Sequence, residues 1–143
     1  MVRIRHIMYA GLIAFVATVA FAQDFPTYPA DMKEAEAQGL ARVGVGELKA
    51  FIPGTIQMKG AKGVEKTKIF KPDGSLEVSD ARDKGGSWNF SKKHDGYCNE
   101  VILPKKVAKS CYYVFKAQDG VHYFNYEVST GHFAEVWRPA PKQ

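Results

Sequence analysis

The chain has 143 residues, is 45% hydrophobic and 24% charged, and carries a formal net charge of +5. That length suits one domain with a modest core. The small positive excess is spread without a basic stripe, which argues against nucleic acid as a partner.

Residues 1–22, MVRIRHIMYAGLIAFVATVAFA, join a basic start (Arg3, Arg5, His6) to an apolar run and an Ala20-Phe21-Ala22 cleavage site. This is the layout of a secretory signal peptide, cleaved after Ala22. The apolar run is short for a membrane span, and Gln23-Asp24 follows it where a stop-transfer cluster of Lys or Arg would stand. No cysteine lies near the cleavage site, since the first is Cys98, so a lipid anchor is not expected. The mature chain is predicted to be periplasmic or secreted, with no stable membrane span after cleavage. Arg3 and Arg5 leave with the leader, so twenty basic residues fall to eighteen against fifteen acidic ones, a net of +3.

Residues 23–43 hold two prolines and a short charged, alanine-rich run without an apolar face, and read as a mobile N-terminal arm or a marginal helix. In GVGELKAFIPG, 44–54, Leu48, Phe51 and Ile52 recur at helical spacing before Pro53-Gly54, which predicts one short helix of two turns. From Thr55 the pattern becomes extended, with eight candidate strands at 55–59, 64–71, 75–80, 86–91, 97–103, 110–117, 121–128 and 132–138. Pro72-Asp73-Gly74, Asp119-Gly120 and Ser129-Thr130-Gly131 are hairpin turns. Short strands with short turns predict a mostly β fold, an antiparallel meander forming a small barrel or a strongly curved sheet, over a single domain at 44–138 with a tail at 139–143. An open sheet would leave edges able to pair between chains, so the expected state is a monomer or weak dimer.

Cys98 and Cys111 are the only cysteines, and in an exported chain an even pair predicts a disulfide. If their segments are adjacent antiparallel strands turning at Pro104-Lys105-Lys106, the bond staples a hairpin. No CxxC, CxxCH or His-rich spacing supports redox, haem or zinc chemistry, and no metal or cofactor is expected. The motifs GxSxG, HExxH and SxxK, the P-loop and the dinucleotide fingerprint are all missing, so the chain reads as non-enzymatic. His94, His122 and His132 read as surface or rim residues, and whether any of Glu100, Glu127 and Glu135 share a face stays open.

Eleven aromatics lie between Trp88 and Trp137. They pack a core or line a cavity, for an eight-stranded barrel is just wide enough to be filled by its own side chains or to hold one small ligand. Tyr112, Tyr113, Tyr123 and Tyr126 are the candidate ligand-binding residues, because each hydroxyl needs a partner. Along the strands Cys111, Tyr113 and Phe115 point one way and Tyr112 and Val114 the other; Val121, Tyr123 and Asn125 oppose His122, Phe124 and Tyr126.

The order GELKAFIPGTIQ, FKPDGSLEV, GGSWNF, GYCNEV, SCYYVFKAQDGVHYF and STGHFAEV, over residues 44 to 138, resembles uncharacterised families of small exported proteobacterial periplasmic proteins. The resemblance implies the compartment and a β-rich fold, and no activity. Gly86-Ser87-Trp88 and the arm from Gln23 are also similar to the serralysin-type protease inhibitors, small eight-stranded barrels with one disulfide whose arm enters the protease cleft. Lipocalin-like carriers share the architecture alone. The leading expectation is a binding module for a small apolar or aromatic molecule held among Tyr112, Tyr113, Tyr123 and Tyr126, or for an exported protein; the alternative is a protease inhibitor acting through residues 23–32.

Overall fold

The computed structural model describes residues 24–79 and 84–141; the signal-peptide reading falls on residues outside these. The described elements, in order, are α1 (Met32–Ala37), β1 (Arg42–Val43), α2 (Val45–Leu48), β2 (Gly54–Gly60), β3 (Glu65–Phe70), β4 (Ser75–Val78), β5 (Gly86–Ser91), β6 (Gly96–Ile102), β7 (Val107–Lys116), β8 (Tyr123–Glu127) and β9 (Phe133–Pro139). From β2 to β9 each strand pairs antiparallel with the next, and β9 returns to β2 through Ile56↔Pro139 to Gly60↔Glu135. The meander is therefore a closed eight-stranded barrel, the closed form of the expected barrel or curved sheet. β1 pairs with β7 at Arg42↔Phe115 and Val43↔Val114, just beyond the last residue that β6 covers, Tyr112. Among the described residues no helix is long and apolar enough to cross a membrane.

Local chemistry sets the turns and seams. Asp73 Oδ1 accepts from the Ser75 amide at 2.8 Å, and Gly74 has φ +88°, a conformation that costs glycine little. Gly86 answers a different need: a Cβ there would lie 1.7 Å from the Glu100 carbonyl, so β5 and β6 approach as they do only because the side chain is missing.

Alternation sorts the side chains into two cores. Inside the barrel Ile56, Met58, Phe70, Leu76, Trp88, Tyr97, Val114 and Trp137 are buried, with Trp137 against Tyr97 at 4.8 Å and Phe70 at 5.3 Å between ring centres. Leu48 and Ile52 are fully buried in the same cluster and Phe51 packs on Tyr123 and Trp137, so α2 and the turn after it close the end at which β2 begins. The predicted helix is thus shorter than two full turns, but its apolar spacing is used as expected. The second core lies on the outer faces of β7 to β9, where Phe115, Phe124, Tyr126, Phe133 and Val136 are covered by Ala35 and partly by Phe25, Met32 and Leu40. Each such buried side chain contributes about 1.5–3 kcal/mol.

Those covering residues belong to the segment read as a mobile arm or a marginal helix; it carries the short helix α1 and lies against the barrel. Asp31 caps α1 by accepting from the Glu34 amide at 2.8 Å, while Glu34 reaches back to the Ala30 amide at 2.8 Å. Tyr126 Oη donates to the Pro29 carbonyl at 3.0 Å, the Phe133 amide donates to the Ala30 carbonyl, and Tyr28 stacks on Phe133 with centroids 3.5 Å apart. An apolar face on α1 is replaced by one small residue, Ala35, that lets the helix lie close to the barrel.

A bulge makes the two cores compatible. Between β8 and β9 the register passes from Asn125↔Glu135 to Tyr126↔Phe133, leaving Ala134 as an extra residue. Phe133 therefore joins the outer core although Glu135 and Trp137, two and four residues on, face the interior. The Ala134 carbonyl accepts from the Ala61 amide at 3.1 Å.

Candidate functional site

The barrel interior is not wholly apolar. Lys68 on β3 and Glu135 on β9 meet inside it, with Nζ 2.9 and 3.0 Å from the two carboxylate oxygens and side-chain exposures of 9% and 7%. Trp137 Nε1 donates to Glu135 Oε1 at 2.9 Å and Tyr97 Oη lies 3.5 Å from the same oxygen. Burial and then the Glu135 charge hold the Tyr97 phenol well above its ordinary value, and the same two causes push Tyr112 up to about 12. Ser110 and Asn99 offset part of the rise at Tyr112, and Glu127 stands opposite it on β8. Buried charges persist only when paired. Here Glu135 accepts from Lys68 on both oxygens and from Trp137 on Oε1, so its charge is balanced inside the barrel. Asn125 Nδ2 donates to the Glu135 carbonyl at 3.2 Å, while its Oδ1 is buried without a protein partner.

The four candidate tyrosines are divided by the strand alternation. Tyr112 and Tyr123 pack on the interior cluster; Tyr113 and Tyr126 belong to the outer one. Tyr113 lies under the Arg42 guanidinium at 4.1 Å, and Tyr126 is the anchor for Pro29. The barrel wall stands between the two pairs, so they do not line one site.

The histidines are also separated. His132 is exposed and His94 half-buried, as expected, but His122 is buried at 1% exposure and needs correcting from a surface reading. The cause is Asp119, whose Oδ1 accepts from the Val121 and His122 amides and whose Oδ2 lies 2.6 Å from His122 Nδ1, folding the ring under Phe25. Burial, the largest single influence on Asp119, raises its carboxyl, but the hydrogen bonds from His122 and Val121 outweigh it and hold the group below its usual range. Among the described residues no group of three or more His, Cys, Asp and Glu side chains is placed to hold a metal ion.

What the hairpin around the disulfide positions is an external recess. Cys98 and Cys111 face each other in register and are bonded, as the sequence predicts. On the outer face of β5 to β7 they are bordered by Asn89, Glu100 and Lys109, and by His94 and Ser129 from flanking turns, around a volume of about 440 Å³. A second recess of about 410 Å³ shares Val128 and Ser129 with it and reaches Asp31 and His132. These residues carry no motif. The available signal was the hairpin itself: once Cys98 opposes Cys111, Glu100 must oppose Lys109 on the same face, and the two approach to 3.5 Å.

The chain matches no protein-family model, no curated protein and no solved structure.

Proposed function

We propose that the protein is an exported, non-enzymatic binding module whose ligand is a small polar molecule held on the outer face of β5 to β7. The observation that carries this reading is where space remains: the barrel interior is filled by Trp137, Tyr97, Phe70 and their neighbours, whereas the recess over Cys98–Cys111 is open and offers donors and acceptors from three strands. Asn89 and Ser129 supply neutral hydrogen bonds, Glu100 and Lys109 opposite charges, and the disulfide an apolar floor. Exported localisation is supported by the disulfide and by the signal-like leader.

The inhibitor reading needs residues 23–32 free to enter a cleft. Tyr28 and Pro29 are instead engaged by Phe133 and Tyr126, so no observation favours it. The binding reading is tested by native mass spectrometry of the mature, disulfide-bonded chain isolated from its own compartment. A defined extra mass released on denaturation, and missing from Asn89→Leu, is the expected result. A bare mass in both proteins would overturn the small-ligand reading.

A further inference from the structure

In an up-and-down barrel the turns β2–β3, β4–β5, β6–β7 and β8–β9 all fall at one end, opposite the end closed by α2. That end combines exposed aliphatic side chains with exposed lysines. Ile102 and Val107 face each other across the last rung of the β6–β7 hairpin with 41% and 51% of their surfaces exposed, and Val64, at the β2–β3 turn, is 46% exposed. Around them stand Lys62, Lys84, Lys105 and Lys106, all exposed and, among the described residues, without an ion-pair partner. Lys84 is held beside the hairpin by its amide, which donates to the Ile102 carbonyl at 3.1 Å. No described residue of these turns is acidic; Asp80, Arg82 and Asp83 of the β4–β5 connection lie outside the described residues and together add one negative charge. At the opposite end the turns mix charges, with Lys71 and Asp73, Lys92, Lys93 and Asp95, and Asp119.

Exposed aliphatic tips ringed by unpaired lysines are matched by a surface that is apolar beneath and anionic on top. We infer that this end of the barrel docks on a bilayer containing anionic phospholipid, with Ile102, Val107 and Val64 entering the headgroup boundary and the lysines meeting the phosphates. Lysine suits the role because its stem lies along apolar surface while the ammonium stays with the charge. The attraction grows with apolar area and with each basic side chain near the surface, and is screened by salt.

The test is sedimentation of the full mature chain with vesicles of mixed phosphatidylcholine and phosphatidylglycerol, against phosphatidylcholine alone. Binding to the mixed vesicles only, weakened by added salt, is expected. Lys105→Gln with Lys106→Gln should lower partitioning roughly twenty-five-fold, at about fivefold for each lysine. Ile102→Ser with Val107→Ser should lower it as well, and Lys92→Gln with Lys93→Gln at the opposite end should leave it unchanged. No binding to the mixed vesicles, equal binding to both kinds, or a loss as large from the Lys92 and Lys93 pair would overturn the inference.

Discussion

Lys68 Nζ sits 2.9 and 3.0 Å from the two oxygens of Glu135, in the interior of the barrel and sixty-seven residues away in sequence. Neither group belongs in an apolar core alone. Lys68→Met should therefore cost about 3–5 kcal/mol, because it strands a buried carboxylate, whereas adding Glu135→Leu should recover most of that loss. Urea unfolding of the two variants decides it; a single variant as stable as the parent would mean that the pair is solvated and not buried.

Stability should fall steeply in alkali. Tyr112 is pushed up to about 12 by burial first and by Glu135 second, and burial also raises Tyr97 and Tyr126. Tyrosines of the unfolded chain ionise near 10. A group raised on folding contributes its full stability below the unfolded value and loses it as pH climbs through the folded one. Melting temperature should thus hold up to about pH 10 and drop between there and about 12, with these tyrosinates forming only as the chain unfolds. Tyrosinate absorbance rising before the loss of circular dichroism would contradict this.

Opening the disulfide should destabilise the fold by about 3 kcal/mol, the chain-entropy cost of a loop this long, since Cys98 and Cys111 are thirteen residues apart. For a domain of this size that is a large share of the whole. The comparison is thermal melting with and without reductant, alongside an intact mass two hydrogens below that of the reduced chain.

The docked arm makes its own forecast. Tyr126→Phe removes the hydrogen bond to Pro29 and should cost about 1 kcal/mol; Asp31→Ala removes the α1 cap and should cost a similar amount. Both should speed proteolytic cleavage at the exposed Lys33 while leaving the barrel intact. Cleavage as fast in the parent would show an arm that is free in solution.

Much of the barrel was legible because its signals are local. Strand spacing, the Pro72-Asp73-Gly74 turn and the Cys98–Cys111 register all depend on neighbours or on one hairpin, and each is found where the residues place it. The polar interior depends on distant partners. In EKTKIF, Phe70 faces inward and Ile69 is left 36% exposed, so Lys68 must face inward too, and nothing nearby announces Glu135. His122 was missed for a smaller reason: an aspartate three residues before a histidine can fold a turn over its own amides and draw the ring in, and Asp119 does so. The contact of α1 was hard to see because it is made by one methionine and one alanine, Met32 and Ala35, too little to register as an apolar face.

The extra residue at Ala134 sets a rule for how this chain can change length. Deleting it would make Phe133 and Glu135 neighbours, which ordinary alternation already places on opposite faces, so the phenylalanine would keep the outer core and the carboxylate its lysine; straightening the strand with Ala134 kept would put both on one face. Deletion of Ala134 should therefore be accepted when variants are selected for folding, whereas deletion of Val136, which would put Glu135 and Trp137 on opposite faces, should be rejected, a contrast that deep mutational libraries of this segment would reveal directly.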